Sequence, residues 1–297
     1  MKRIAIIGHR YFINKLSQFF KDKNYDIITI SNIGKWNRNP FSFLNELKNV
    51  NLVYFFNGLG FKKIKNVIFL KFILRKKVIV HFVGSDALKL ITRNFIEKMK
   101  WKIALKSANK VFGISQNIVN ELSSFVNIKY LPISFEEFNH KFQPYPLKFT
   151  AITYLPTVKD LNFYGANFIY ELIENNPDID FIILGDNNNN LHFDNVEFIP
   201  IDMNIDLSDL YERSSVLLRL TEHDGLSNMV LESLARGRHV IWTSKFPFTQ
   251  LTMRDLNSIQ NELDRVKTKG DNREAMKWVQ NNYNQSKLME NLEKTFY

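Results

Sequence analysis

The segment Thr221–Gly237, TEHDGLSNMVLESLARG, holds the densest set of chemistry-bearing residues in the chain. Asp224 and Glu232 have seven residues between them, and Gly225 follows the first acid. A glycine there lets the backbone come close to a ligand. The segment lies between two strand-like runs, VLLRL and HVIWT, so it reads as strand, polar loop and helix, with the helix starting near Ser227. The amides of Leu226, Ser227 and Asn228 then lie at the helix start, where unpaired N–H groups and the macrodipole favour an anion. A diphosphate fits such a place without a metal ion. Glu232 falls four residues after Asn228, beside Met229, Val230, Leu231 and Leu234. A carboxylate next to an apolar face needs partners, and sugar hydroxyls have the right chemistry. The plain structural reading of the same pair is a helix-start acid and a surface ion-pairing acid.

Other chemistries have less support. The chain has no cysteine, which excludes disulfides, thiolate zinc sites and a cysteine nucleophile. Its six histidines, His9, His81, His140, His192, His223 and His239, show no HxxxH or HxxEH spacing for a metal on a helix. Asp178 and Asp180 spell a DxD, but they follow Asn176-Pro177 into a strand-like run and read as turn chemistry. Charge is divided unevenly. Met1–Lys148 carries 26 Lys and Arg against 8 Asp and Glu, a net +18, whereas Phe149–Tyr297 carries 14 against 22, a net −8. The basic half suits an anionic partner such as nucleic acid, a membrane surface or a phosphorylated acceptor, and it equally suits a solvated lysine-rich surface.

These residues need elements to position them. In the first half, Arg3–Ile7, Asp26–Ile30, Asn51–Phe56, Lys77–Phe82, Lys110–Ile114 and Ile128–Leu131 read as short buried strands. Helical spacing falls between them at Tyr11–Lys23, Phe41–Lys48 and Asp86–Ser107. The stretch Pro132–Pro146, PISFEEFNHKFQPYP, breaks the pattern and reads as a linker. The alternation resumes with strands at Phe149–Tyr154, Asp180–Leu184, Val196–Ile199, Val216–Leu220 and His239–Trp242, and the chain from Asp255 onward reads as helical. Strands alternating with helices predict an α/β protein of two Rossmann-like βαβ domains facing a cleft, residues 1–147 and 148–297. No run of about 18 apolar residues predicts a membrane span. The apolar run in MKRIAIIGHRYF is too short for a signal peptide and suits a first strand, so a cytoplasmic protein is expected.

DGLSNMVLESLARG resembles the EGxxxxxxLEAxAxG signature of retaining GT-B glycosyltransferases, family 4 in particular, with Asp224 in place of the usual first Glu. The coarse resemblance extends over most of the chain. It implies transfer of a hexosyl group from a nucleotide-sugar donor to a glycan or lipid-linked acceptor, with retention and without a metal or other cofactor. It implies that Glu232 binds the ribose and that Asp224 is the sugar-side, catalytic acid. FIILGDN resembles the strand and loop before the base pocket, placing Gly185 near the donor, and VEFIPI resembles the strand whose exit touches the base near Ile199–Ile201. TYLPTVKDLNFYG resembles the segment that supplies an Arg and a Lys to the phosphates; Lys159 is present, the Arg is missing, and Arg219 stands nearby to replace it. In the first domain, HFVGSD resembles the strand-end His and small-residue turn on the acceptor side, which gives His81 a catalytic role beside Gly84 and Ser85. Gly8 resembles the glycine loop after the first strand, although Gly8-His9-Arg10 lacks the usual glycine pair. Plain alternatives are a core histidine at His81, a solvated Lys159 and a strand terminator at Gly8.

Two other classes compete: a GT-B sugar-nucleotide epimerase, and a non-catalytic protein whose basic half binds nucleic acid or an anionic membrane. No nucleic-acid motif is present, and many of the 26 Phe fall in apolar strand or helix patterns, so nucleic acid is not expected. The stretch Phe61–Lys77, FKKIKNVIFLKFILRKK, sets basic groups around an apolar centre. It suits a helix covering the sheet, or a helix at an anionic lipid surface that would hold the protein at the inner face of a membrane.

Overall fold

The computed structural model describes residues 2–21, 23–31, 40–56, 64–156, 161–185, 193–200 and 207–297. The chain divides into two compact units, Met1–Glu136 with Gln285–Tyr297, and Glu137–Asn284. In the first, β1 (Lys2–Gly8), β2 (Tyr25–Ile30), β3 (Leu52–Phe56), β4 (Lys77–Phe82), β5 (Lys110–Gly113) and β6 (Lys129–Tyr130) form one sheet in the order β2-β1-β3-β4-β5-β6. In the second, β7 (Thr150–Tyr154), β8 (Asp180–Leu184), β9 (Val196–Ile199), β10 (Val216–Arg219), β11 (His239–Trp242) and β12 (Gln250–Leu251) are ordered β12-β11-β10-β7-β8-β9. Every pairing in both sheets is parallel. Parallel strands are covered on both faces and so read as continuous apolar runs; all five residues of LVYFF in β3 are buried.

The helices bury one stripe each. In α1 (Arg10–Phe20) the core residues Ile13, Leu16 and Phe20 recur at helical spacing. Further along the first unit come α2 (Pro40–Leu47), α3 (Ile64–Ile68), which continues as a π turn over Phe69–Ile73, α4 (Ser85–Ile91), α5 (Phe95–Ser107) and α6 (Gln116–Leu122). The second unit has α7 (Ala166–Asn175), α8 (Ser208–Glu212), α9 (Asn228–Ala235), α10 (Leu256–Lys267) and α11 (Arg273–Asn282); α12 (Gln285–Lys294) returns to the first. The continuous helix expected over Asp86–Ser107 is in fact two. Asn94 accepts a hydrogen bond from the Glu97 amide at 2.9 Å and caps α5. A short side chain that competes for backbone amides starts a new helix more readily than it continues an old one.

The domain limits also differ from the expected 147/148 division. Contacts separate the units at Glu136/Glu137, and the C-terminal segment does not stay with the second unit. The cause is aromatic burial. The Phe296 ring is buried against Phe20, Tyr25 and Tyr54 at centroid distances of 5.3, 6.2 and 5.8 Å. Tyr25 donates to Glu293 Oε1 at 2.9 Å, and Lys23 pairs with the same carboxylate. Burial, followed by the bonds to Tyr297 and Glu293, pushes the Tyr25 phenol above its ordinary range. Phe296→Ala should therefore lower unfolding stability by about 3–5 kcal/mol. Urea denaturation checks this, and a loss close to zero would mean that the tail does not contribute to the first core.

Candidate functional site

In the second sheet the chain runs from β7 outward through β8 to β9, then returns to place β10 on the other side of β7. The crevice outside the carboxyl ends of β7 and β10 is the point where strand order reverses, and parallel α/β sheets bind ligands there. The loops that leave these two strands are tied together. Gly165 has φ +82°, and a Cβ on it would lie 2.7 Å from Leu220 Cβ, so only glycine allows this approach. The Glu222 amide donates to the Phe163 carbonyl at 2.8 Å. Arg254 donates to the Leu220 carbonyl at 3.1 Å and to the Asn162 carbonyl. Gly185 closes β8 on the same edge with φ +95°; a Cβ would meet the Leu155 carbonyl oxygen at 2.6 Å.

The loop after β10 carries the first acid. Arg219 Nε donates to Asp224 Oδ2 at 2.8 Å, the Gly225 amide donates to Oδ1 at 3.0 Å, and Thr221 Oγ1 lies 3.5 Å from Oδ2. The Arg219 and Asp224 side chains are only 13% and 16% exposed, so this is a largely desolvated pair. The Arg219 guanidinium, expected beside the phosphates, pairs through Nε with Asp224 and also lies over the Tyr164 ring at 5.9 Å. Lys159 lies outside the described residues. The loop ends at Ser227, the N-cap of α9, whose side chain makes no cap bond. Among the described residues the amides of Leu226, Ser227 and Asn228 have no acceptor, and the first turn of α9 holds no acid. Unpaired amides at a helix start attract an anion.

The second acid is held from behind. Glu232 Oε2 accepts a hydrogen bond from the Tyr211 hydroxyl at 2.6 Å. Tyr211 is buried, and burial together with the Glu232 charge keeps its phenol well above its ordinary range, so it remains a donor. Tyr211 is fixed in turn by Arg238, a fully buried guanidinium. Arg238 donates to the carbonyls of Tyr211 (3.1 Å), Glu212 (3.0 Å), Gln143 (3.1 Å) and Pro144 (3.2 Å). Arg236 lies over the Tyr211 ring at 5.1 Å and donates to Ser208 Oγ at 3.1 Å. Sequence reasoning missed Tyr211, Arg236 and Arg238. The available signal was Arg236-Gly237-Arg238 entering a buried strand, because a buried charge requires acceptors.

The first unit places its candidates differently. His81 is 1% exposed, its Nδ1 is 2.7 Å from the Tyr54 hydroxyl, and its ring packs against Phe56 and Phe112 at 5.3 and 5.9 Å. It is a core histidine of β4 in this structure, which corrects the expectation that it meets a substrate. A Cβ on Gly8 would lie 1.8 Å from the Phe56 carbonyl oxygen, so Gly8 serves close strand packing. Gly84 and the exposed Ser85 open α4, where Asp86 accepts from the amides of Val83 (3.0 Å), Gly84 (2.8 Å) and Ala87 (3.1 Å).

Asp178 and Asp180 pair with Lys267 at 2.8 Å and Lys148 at 2.5 Å, at the amino end of β8 and away from the edge that carries Asp224. Among the described residues no group of three or more His, Asp or Glu is placed to hold a metal ion. A cavity of about 410 Å³ also opens on the amino-terminal side, among Lys148, Asp180, Glu197 and Arg213, whose charges pair with one another. It lies at the opposite end of the strands from Asp224.

No protein-family model matches the chain, and no curated protein matches it. Solved structures do. The chain is similar to sucrose-phosphate synthase from Thermosynechococcus elongatus, with a TM-score of 0.76 and 14% identity over 100% of this chain and 98% of that one. It is similar to the lipopolysaccharide outer core galactosyltransferase WaaB in its apo form (TM-score 0.69, 12% identity, 99% of each chain). It is also similar to a UDP-forming α,α-trehalose-phosphate synthase from Burkholderia xenovorans (TM-score 0.67, 8% identity, 99% of this chain and 98% of that one). The fold is that of GT-B glycosyltransferases.

Burial holds His81 neutral, lowering its pKa from 6.5 to about 3. Between those values the unfolded chain binds a proton that the folded chain refuses. Stability is thus full above about pH 6.5 and falls on acidification by up to about 1.4 kcal/mol per pH unit. His81→Gln should flatten that slope, as read from urea midpoints at neutral and mildly acidic pH. An unchanged slope would show that His81 titrates normally and reaches solvent.

Proposed function

We propose that this protein is a nucleotide-sugar-dependent glycosyltransferase whose donor binds at the carboxyl edge of β7 and β10. The carrying observation is the Glu232 carboxylate on α9, the helix whose first amides are unpaired, held there by a hydrogen bond from Tyr211 of α8. The donor diphosphate would lie against the amides of Leu226, Ser227 and Asn228, with Gly225 leaving room for it. Glu232 would accept hydrogen bonds from the ribose hydroxyls, and Gly185 would let the base approach the backbone at the end of β8. Asp224, neutralised by Arg219, would face the donor sugar.

In the reaction, an acceptor hydroxyl forms a bond to the anomeric carbon as the bond to the diphosphate oxygen breaks. The bonding pair leaves with the diphosphate, and the hydroxyl proton goes to the departing phosphate or to solvent. The helix-start amides stabilise the charge that develops on the leaving group, which is the task a metal performs elsewhere. Resemblance to family 4 supports retention of anomeric configuration, and Lys159 remains a candidate second cation. A uridine nucleotide is the first donor to try, because one structural neighbour is described as UDP-forming. The acceptor class that fits the charge of the first unit is an anionic glycan or lipid-linked saccharide.

Thermal shift with UDP-, GDP-, ADP- and CMP-sugars should single out one base, since a bound donor raises stability by mass action. With that nucleotide, Glu232→Gln should weaken calorimetric binding by about 10–100-fold through loss of charge-assisted hydrogen bonds. Tyr211→Phe should weaken it by a smaller factor, because only the positioning bond is lost. Unchanged affinity in Glu232→Gln would remove the ribose role. Turnover should persist in EDTA; loss that Mg²⁺ or Mn²⁺ restores would replace the amide-based account with a metal-based one.

A further inference from the structure

Helix α5 has two apolar sides. Trp101, Ala104 and Leu105 are buried toward the sheet. Phe95, Ile96, Met99 and Ile103 point the other way and are 76%, 66%, 41% and 58% exposed. At about 100° per residue, these four cluster on the side opposite the buried three. Four large apolar side chains in one stripe differ from the scattered exposed leucine of an ordinary surface. The helix is not frayed, because Asn94 caps it.

Charge flanks the stripe. The sequence FIEKMKWKIALKS carries Lys98, Lys100, Lys102 and Lys106 against the single acid Glu97, and Glu97 pairs with Arg93. Helix α3 packs beside α5, and Lys71 donates to Asn109 just beyond the end of α5 at 3.0 Å. Phe72 and Ile73 follow Lys71 directly in the chain and are 62% and 66% exposed. The apolar centre of Phe61–Lys77 is thus divided. Val67 and Leu70 are buried in the core, while Phe72 and Ile73 face solvent.

We infer that α5, with the Phe72–Ile73 turn, is a docking surface for an anionic lipid bilayer. Phenylalanine, isoleucine and methionine side chains would enter the acyl boundary while the lysines meet the headgroups. A neutral protein partner would not call for a lysine at nearly every position beside the stripe, and no helix among the described residues is long and apolar enough to cross a membrane. The surface lies within the first unit and does not depend on the donor reading, so each can fail without the other.

Co-flotation of the full chain tests this directly. Vesicles of phosphatidylglycerol and phosphatidylcholine in equal parts should carry the protein to the light fraction at low salt, and pure phosphatidylcholine vesicles should not. Ile96→Ser with Ile103→Ser, and separately Lys100→Glu with Lys106→Glu, should each reduce partitioning at least about tenfold. Because these side chains are exposed, both variants should melt as the parent does. Equal binding to neutral vesicles, no binding at low salt, or variants that float like the parent would overturn the inference. So would a concentration-dependent dimer in sedimentation velocity that Ile96→Ser with Ile103→Ser abolishes, since the stripe would then be covered by a second copy.

Discussion

Parallel pairing is the constraint on which the rest of this structure depends. A parallel strand cannot be reached by a tight turn, so each connection must cross back over the sheet and every strand ends on the same edge. In both units all the pairings are parallel, and in the second the chain reverses its direction of travel between β7 and β10. That reversal leaves the loops from the two strands on either side of one crevice. Residues far apart in sequence, Gly165 and Leu220 among them, come into contact there because of it.

The acids of that crevice are supported by neighbouring groups in two different ways. Asp224 is held by a cation on its own strand, so the pair carries little net charge and its geometry is fixed. Glu232 is held by a buried phenol from another helix, and Arg238 ties the last two carbonyls of that helix, Tyr211 and Glu212, to those of Gln143 and Pro144. A guanidinium with 0% exposure is tolerated only when its donors are satisfied, and Arg238 meets that demand with four backbone carbonyls. The chain following the unit boundary is thereby anchored to the element that positions Glu232. This places site geometry and core stability in the same set of hydrogen bonds.

The first unit uses its residues in another manner. Its candidate histidine, His81, is committed to the core through Tyr54, Phe56 and Phe112, and the unit presents a basic apolar surface on α5 to solvent. The division of net charge, +18 in Met1–Lys148 and −8 in Phe149–Tyr297, follows the same separation of tasks. The surface proposed to meet lipid and the crevice proposed to hold a donor need no shared residues.

The sequence by itself determined the α/β class, the strand–helix alternation and the loop and helix that carry Asp224 and Glu232. These depend on local order: buried parallel strands read as short apolar runs, and a polar loop before an apolar helix shows in any one-dimensional scan. The tertiary structure alone decided what each polar group faces. An arginine near an acid in sequence became its ion-pair partner, and a strand-end histidine turned inward. The helix expected over Asp86–Ser107 split at Asn94, because an amide side chain at 94 competes with the backbone whatever the surrounding periodicity. The return of Phe296 to the first core, and the buried Arg238 behind Tyr211, join residues separated by long stretches of chain. Contacts of that kind leave no period in the sequence. They arise only when packing selects which of several apolar or charged residues is enclosed, and that choice is settled by shape and hydrogen-bond satisfaction in three dimensions.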